Sequence, residues 1–187
     1  MSELSHLEEK TINSQVLFEG RIIKVQIDEV SLPNGNTSTR ELVKHPGAVS
    51  ILAITEEEKI VLVRQYRKPL EKAILEIPAG KIDPGENPQH CAKRELEEET
   101  GYLAQEMDEV LSFYTSPGFS DEIVYIYEAK KLTQGEAKPD ADEFVETVEL
   151  TLTEALEKIS SHEIHDAKTV TAIYYWQNQL LLANEKK

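Results

Sequence analysis

The chain has 187 residues, 40% of them hydrophobic and 6% aromatic, which is ordinary for one well-packed domain with a modest appendage. Its formal charge of −15 at pH 7 argues against nucleic acid as a partner, because phosphate backbones are bound by Lys and Arg. No stretch approaches the ~18 apolar residues of a membrane span, no signal-peptide pattern is present, and Cys91 is the one cysteine, so we expect a cytoplasmic protein without a disulfide.

Residues 1–46 are predicted to form a small antiparallel β unit. Residues 21–30 alternate in part between apolar and polar side chains, Asn34 and Gly35 form a strong hairpin turn signal, and residues 37–44 supply the return strand. A hairpin of this size is not stable alone in water. We therefore expect it to pack against the main domain or against another chain.

The main domain is predicted to span residues 47–187. Its apolar runs and alternating segments indicate strands at 48–55, 60–66, 73–78, 109–115, 123–131 and 143–150. Helical segments interrupt and follow these strands. Strands and helices in this order predict an α/β layered fold with a mixed sheet.

Two helices are predicted after the last strand. Thr151 and Glu154 form a capping box that opens the first, which ends near residue 160. Asp166 is expected to cap the second, which ends near residue 183. The residues expected to face inward on this second helix are Val170, Ile173, Tyr174 and Leu180 to Leu182.

A shorter helix is predicted in the middle of the chain. Asn87 is a good N-cap, Pro88 suits the first helical position, and Gly101 suits the left-handed position that ends a helix. Its apolar residues are Cys91, Ala92 and Leu96. We interpret Cys91 as a core residue rather than a nucleophile.

Three glutamates share one face of this helix. Glu95, Glu98 and Glu99 are spaced i, i+3 and i+4, whereas Glu97 points elsewhere. Like charges at this spacing cost about 0.2–0.5 kcal/mol per pair, and a bound Mg²⁺ or Mn²⁺ would reverse the sign of that interaction. The alternative is a solvated acidic face. The spacing also lets Arg94 pair with Glu86 and so fix the preceding loop on the helix.

The residues of this region match a known signature. The fixed positions are Gly80, Glu86, Arg94, Glu95, Leu96, Glu98, Glu99, Gly101 and Tyr102. In this pattern the chain resembles the Nudix family. The resemblance implies an α/β/α sandwich and hydrolysis of a nucleoside diphosphate linked to another group.

The resemblance also implies a metal site. Its ligands would be the carboxylates of Glu95, Glu98 and Glu99, and the backbone carbonyl of Ala79 would complete the shell. Such metals polarise phosphoryl oxygens and lower the pKa of bound water. The cofactor implied is Mg²⁺, with Mn²⁺ as the second possibility.

A segment beyond the signature bears on the substrate. Pro117 follows Gly101 by sixteen residues and resembles the marker of ADP-ribose pyrophosphatases. The alternative is a simple turn, which Ser-Pro-Gly also favours. By resemblance, Ser116 and Glu122 would contact the terminal ribose or the water network of the metal.

Other substrate contacts are assigned more loosely. By position in similar enzymes Arg67 is the phosphate-binding candidate, with Arg40 second, because arginine suits forked phosphate contacts. The alternative for both is pairing on the surface. Adenine needs a stacking surface, for which Phe18, Phe119 and Phe144 are candidates, although each could be a core residue.

The catalytic base has two candidates. Related ADP-ribose hydrolases place a glutamate on a mobile loop late in the chain, and Glu143 occupies the matching position. Glu98 is the competing base. A solvated acidic loop is the alternative interpretation of the segment around Glu143.

The leading hypothesis is a Mg²⁺-dependent ADP-ribose pyrophosphatase that gives AMP and ribose 5-phosphate. A hydrolase of the GDP-mannose type and a non-catalytic ADP-ribose sensor are the alternatives. The partner is thus a small nucleotide sugar, without nucleic acid or membrane. Similar proteins exchange their N-terminal sheet between two subunits, so the resemblance also implies a homodimer.

Overall fold

A computed structural model describes residues 5–138 and 144–185 of the chain. The strands in this part are β1 (Lys10–Glu19), β2 (Lys24–Ser31), β3 (Thr37–Lys44), β4 (Ala48–Ala53), β5 (Lys59–Arg67), β6 (Lys72–Glu76), β7 (Ala79–Lys81), β8 (Tyr102–Tyr114), β9 (Ile123–Gln134) and β10 (Val145–Thr151). The α-helices are α1 (Pro88–Thr100), α2 (Leu152–Ser160) and α3 (Ala167–Glu185). Short 3₁₀ turns lie at Ser5–Leu7 and Lys68–Leu70.

The described residues up to Gly47 form one compact unit together with Tyr114–Ile123. Its sheet has the order β1-β2-β3, and both pairs are antiparallel. The predicted hairpin is confirmed, because β2 and β3 flank a turn in which Gly35 has φ 84°. The segment 114–123 joins this unit through the Val43 N–H, which donates to the Phe119 carbonyl at 2.8 Å.

Strand β1 is the element of this unit that the sequence analysis did not predict. All ten of its residues are exposed. Part of its contact with β2 is polar, since the buried Asp28 carboxylate accepts hydrogen bonds from Ser14 at 2.6 Å and from Thr11 at 3.2 Å. A strand that pairs through polar side chains lacks the apolar alternation on which strand prediction depends.

The second unit comprises Ala48–Phe113 and the described residues from Val124 onward. One sheet has the antiparallel order β10-β5-β6, and the other has the order β7-β4-β9-β8. In the latter, β4 is parallel to β9 and antiparallel to β7, so the predicted mixed sheet is confirmed. All six strands predicted for the main domain are present, and β8 begins seven residues earlier than expected.

Helices cover apolar surface on two sides in this unit. Ile51 of β4 packs in a cluster with Cys91 and Leu96 of α1, whereas its neighbour Leu52 packs in a cluster with Ile173 of α3. A strand covered on both faces is apolar throughout, which explains the unbroken hydrophobic run of β4. The layers agree with the predicted α/β/α arrangement.

The caps of the last two helices are confirmed, but part of the predicted inner side of α3 is wrong. Thr151 and Glu154 form a complete capping box, and the Asp166 carboxylate accepts the Thr169 N–H at 3.0 Å. The residues of α3 that are buried are Thr169, Ala172, Ile173 and Trp176. The residues wrongly expected inward are Tyr174, Leu180, Leu181 and Leu182, which are 39–57% exposed. No described residue of α3 beyond Trp176 is buried, so the last turns of the helix extend past the core.

No helix in the described part of the chain combines the length and apolar character that crossing a membrane requires.

Candidate active site

Helix α1 is fixed by the caps that its sequence predicts. The Asn87 side chain accepts the N–H groups of Gln89 at 2.9 Å and His90 at 3.3 Å, and Pro88 follows as the first helical residue. Gly101 ends the helix with φ 76°, and its N–H donates to the Glu97 carbonyl. The helix therefore begins and ends at defined residues, which sets the direction of its acidic side.

The apolar residues of α1 anchor the helix in the core. Cys91, Ala92 and Leu96 are fully buried, as predicted. Burial, together with the nearby Glu86 carboxylate, raises the pKa of the Cys91 thiol to about 12. A thiol that stays protonated at neutral pH is a packing residue and not a nucleophile.

The acidic side of α1 is partly buried. Glu95 is 8% exposed and Glu99 is 2% exposed, which does not fit a solvated acidic face. The Glu99 carboxylate accepts the Ala79 N–H at 3.1 Å, so the backbone before Gly80 is attached to the helix. Burial of carboxylates is unfavourable unless they are paired or bind a cation.

Arg94 is the cation shared by the carboxylates of Glu86, Glu95 and Glu98. Its Nη1 donates to Glu95 at 2.8 Å and to Glu98 at 2.9 Å, while Nε and Nη2 donate to the two oxygens of Glu86 at 3.0 Å. The predicted pair of Arg94 and Glu86 is thus confirmed as a forked one. The Arg94 guanidinium holds the pKa of Glu86 at about 2, well below its ordinary value. The loop that carries Glu86 is therefore fixed on α1 by an ionised pair.

Gly80 lies against the acidic side of α1. A Cβ atom at this position would come within 1.9 Å of both Cδ and Oε1 of Glu95. Gly80 also pairs with Val49 in the ladder between β7 and β4, which restrains its backbone. Only glycine leaves the space that the Glu95 carboxylate occupies.

The described acidic side chains suit a cation but are not arranged as a complete metal site. No group of three or more His, Cys, Asp or Glu side chains among residues 5–138 and 144–185 is arranged to hold a metal ion. Glu95 and Glu98 nevertheless converge on one positively charged nitrogen of Arg94. Carboxylate oxygens are the ligands that Mg²⁺ prefers, so the donor chemistry fits this ion.

Arg67 belongs to a charged network that the sequence analysis missed. Its Nε and Nη2 donate to Glu76 at 2.6 and 2.9 Å, and the Glu76 side chain is only 2% exposed. Lys168 of α3 contacts the same carboxylate and also lies 2.9 Å from Asp166. The one signal in the sequence was a glutamate inside an apolar strand, since Glu76 lies between Leu75 and Ile77.

The candidates in the first unit have partners within that unit. Arg40 forms a forked pair with Glu9, with 2.8 Å between Nε and Oε2. The Ser116 carbonyl accepts the Ser120 N–H at 2.9 Å, so Pro117 lies within a turn. Glu122 accepts the Thr115 hydroxyl at 2.7 Å, and its carboxylate lies 3.7 Å from His45.

The candidates for stacking on the base are exposed. Phe18 is 56% exposed, Phe119 is 54% exposed and Phe144 is 84% exposed, so none of them is a core residue. Glu143 lies outside the described residues. Lys138 is the last described residue before it, and the Lys138 N–H donates to the Glu98 carbonyl of α1 at 3.0 Å.

Comparison with known proteins agrees with this arrangement. The NUDIX domain profile matches residues 44–173, and the profile of the nucleoside diphosphate sugar hydrolase N-terminal domain matches residues 9–43. The chain is 57% identical to the methanol dehydrogenase activator of Bacillus methanolicus, over 95% of this chain and 97% of that protein. It is 52% identical to the ADP-ribose pyrophosphatase of Bacillus subtilis, over 98% and 100% of the two chains.

A solved structure shares the fold. The crystal structure of an ADP compounds hydrolase superposes with a TM-score of 0.82 and covers 92% of this chain and 94% of its own, at 23% identity. The profile match covers the acidic helix, the Gly80 segment and the two sheets that hold them. The chain belongs to the Nudix family.

Proposed function

We propose that the protein hydrolyses the pyrophosphate of ADP-ribose, in a Mg²⁺-dependent reaction, to AMP and ribose 5-phosphate. The observation that carries this proposal is the partly buried carboxylate set of α1, in which Glu95 and Glu98 converge on Arg94 and Glu95 lies against Gly80. The substrate is inferred from the 52% identity with an ADP-ribose pyrophosphatase over nearly the whole of both chains. We expect the enzyme to act in the cytoplasm.

The metal would be held by Glu95, Glu98 and Glu99, with the carbonyl of Ala79 as a further ligand. When bound, Mg²⁺ neutralises phosphate charge and lowers the pKa of its water. Arg94 has to release Glu95 and Glu98 to such an ion, and it retains its forked pair with Glu86. Gly80, Glu86, Arg94 and Gly101 would thus keep the loop and helix in place when the metal is bound.

The substrate contacts are proposed as follows. Arg67 binds a phosphate through its exposed edge, because a guanidinium offers more donors than Glu76 uses. Arg40, Ser116 and Glu122 contact the substrate beyond the pyrophosphate, and Pro117 shapes the turn of Ser116. Phe18 supplies a stacking face for adenine, which its exposure in β1 permits.

The base is proposed to be Glu143, with Glu98 as the competitor. Removing a base leaves the ligands intact, so Glu143→Gln should lower kcat far more than it weakens Mg²⁺ binding. Glu98→Gln should lower both. Equal loss of kcat and Mg²⁺ affinity in Glu143→Gln would contradict the assignment to Glu143.

We propose that the active form is a homodimer in which the N-terminal sheets are exchanged. Strand β1 is the edge of its sheet and is exposed along its whole length, including the apolar side chains of Ile12, Leu17 and Phe18. An exposed edge strand that carries apolar side chains is a template for pairing with another chain. An active monomer in sedimentation velocity at the assay concentration would contradict this assembly.

Substrate choice is tested by comparing ADP-ribose, GDP-mannose and NADH at equal concentration, with and without Mg²⁺. We expect ADP-ribose to be hydrolysed fastest and only with the metal. Turnover of GDP-mannose alone would favour the GDP-mannose type of hydrolase. Tight binding of ADP-ribose without turnover would favour a sensor.

A second candidate function is activation of a methanol dehydrogenase. It is favoured by one observation, the 57% identity with the methanol dehydrogenase activator of Bacillus methanolicus over nearly all of both chains. The test measures the rate at which a methanol dehydrogenase oxidises methanol after addition of either the wild-type protein or its Glu98→Gln variant. Stimulation by the wild type alone would show that activation needs the hydrolytic site.

A further inference from the structure

A partly buried network of charged side chains lies where α3 begins. It joins Arg67 of β5 and Glu76 of β6 to Lys168 and Asp166, at the start of α3. The side chains of Glu76, Lys168 and Asp166 are 2%, 14% and 21% exposed. Only Arg67 has a role in the proposed reaction, so the other three charged residues need an explanation.

The network is electrically balanced. Two carboxylates, Glu76 and Asp166, face two cations, Arg67 and Lys168, which makes the burial of Glu76 and the partial burial of the other three tolerable. Glu76 Oε1 accepts from Arg67 Nε, whereas Oε2 accepts from both Arg67 Nη2 and Lys168 Nζ. Lys168 therefore fixes the second oxygen of the carboxylate that orients Arg67.

The same helix end also holds the backbone that leads to the acidic site. The Ile77 N–H donates to the Thr169 hydroxyl at 2.9 Å, and that hydroxyl donates to Asp166 at 2.7 Å. Ala79, two residues further along, donates its N–H to Glu99 of α1. The short segment 76–79 is thus held by α3 at one end and by α1 at the other.

Arg67 is influenced by the carboxylates at the start of α3 and by Glu99 of α1. Its pKa is raised first by the hydrogen bonds to Glu76, against the effect of burial, and further by the charges of Glu99 and Asp166. Its side chain is 39% exposed although two of its three nitrogens are bound to Glu76. A guanidinium held on one edge and open on the other presents a defined set of donors to a phosphate.

We propose that Lys168 is a positioning residue which, through Glu76, holds the Arg67 guanidinium in the orientation that meets the substrate's pyrophosphate. The inference rests on the proposed function, in which Arg67 contacts that group. Without the Lys168 ammonium, Glu76 loses its second donor on Oε2 and Asp166 loses the cation beside it. Among the described residues, the Glu76 carboxylate is then held by Arg67 alone, so the forked pair can move as a unit and Arg67 loses its single orientation.

The first test compares Lys168→Met with Lys158→Met. Both variants remove an ion-paired lysine of a helix, but Lys158 of α2 pairs at 2.8 Å with Glu163, which follows that helix, and the pair is on the surface. With saturating Mg²⁺ we expect Lys168→Met to raise KM for ADP-ribose about tenfold and to change kcat by less than about threefold. Lys158→Met should leave both constants unchanged, and Lys168→Arg should restore most of the affinity. If Lys168→Met does not fold, Lys168→Gln replaces it.

The second test separates positioning from a merely structural role. If Lys168 acts through Arg67, the double variant Arg67→Ala/Lys168→Met should have the KM of Arg67→Ala alone. A KM for the double variant that is raised by the product of the two single fold-changes would overturn the proposal, whatever the effect on thermal stability.

A third measurement does not depend on the substrate. The proton on Arg67 Nε, followed by its ¹H–¹⁵N NMR signal, should exchange slowly with solvent in the wild type and rapidly in Lys168→Met. If the wild type does not hydrolyse ADP-ribose, the proposed function is wrong, and this signal still decides the inference. An unchanged Arg67 signal in Lys168→Met would overturn it.

Discussion

Replacing Gly80 by alanine should disturb the acidic site without unfolding the protein. The added Cβ would lie 1.9 Å from Cδ and Oε1 of Glu95, whereas real Cβ atoms essentially never come closer than 3.0 Å. The Glu95 carboxylate therefore has to move by about 1 Å or more. Gly80 is not one of the glycines with a positive φ, so alanine adds no backbone strain of its own.

A displacement of this size should have a large effect on the rate of catalysis and a small effect on the free energy of unfolding. Misplacing a catalytic group by about 1 Å can reduce the rate on the order of 100-fold. We expect Gly80→Ala to lose activity on ADP-ribose to about this extent and to need more Mg²⁺ for half-maximal rate. The free energy of unfolding should change by less than about 1 kcal/mol, since the Glu95 side chain, whose Cγ would also lie 2.5 Å from the added Cβ, moves while the backbone stays in place.

The assay measures initial rates over a Mg²⁺ titration, beside a thermal melt. Glu97→Gln is the matched control, because it removes a carboxylate from α1 that the sequence places off the acidic face. The control should keep the wild-type Mg²⁺ dependence. A folded Gly80→Ala variant with wild-type rate and Mg²⁺ dependence would refute the role assigned to this glycine.

Three further predictions concern stability. Because the folded pKa of Glu86 is about 2, below its ordinary value of 4.5, its pair with Arg94 stabilises the fold fully above pH 4.5 and is lost as the pH falls toward 2. In urea unfolding the deficit of Glu86→Gln should be about 1–2 kcal/mol at neutral pH and should shrink in acid; a deficit independent of pH would contradict this pair. Thr151→Ala removes the capping box of α2 and should cost about 1 kcal/mol, with no change expected for the exposed Thr153→Ala. Leu62→Ala, at a fully buried position of β5, should cost about 2–5 kcal/mol by the same measurement, and a loss below about 1 kcal/mol would show that the core cluster is assigned wrongly.

The elements that the sequence predicted are those set by local rules. The caps of α1 at Asn87 and Gly101, the capping box at Thr151 and the turn at Gly35 each depend on a few neighbouring residues. The pair of Arg94 and Glu86 could also be predicted from the sequence, because only eight residues separate the two partners. Such features follow from backbone geometry and short-range charge.

The features that the sequence did not reveal depend on distant parts of the chain. Lys168 meets Glu76 across 92 residues, and nothing near either residue indicates the other. Strand β1 pairs through polar contacts at Asp28, which hides its periodicity. The end of α3 is apolar yet extends past the core, so Leu181 is exposed although its pattern favours burial.

The central claim is Mg²⁺-dependent hydrolysis of ADP-ribose, and phosphorus NMR of the products tests it most directly. ADP-ribose, GDP-mannose and NADH would each be incubated with the protein and Mg²⁺ in ¹⁸O-labelled water, with Glu98→Gln as the inactive control. We predict AMP and ribose 5-phosphate from ADP-ribose, with the label in one of the two identifying the phosphorus that is attacked. An ADP-ribose spectrum that stays unchanged with folded protein and Mg²⁺ would contradict the account.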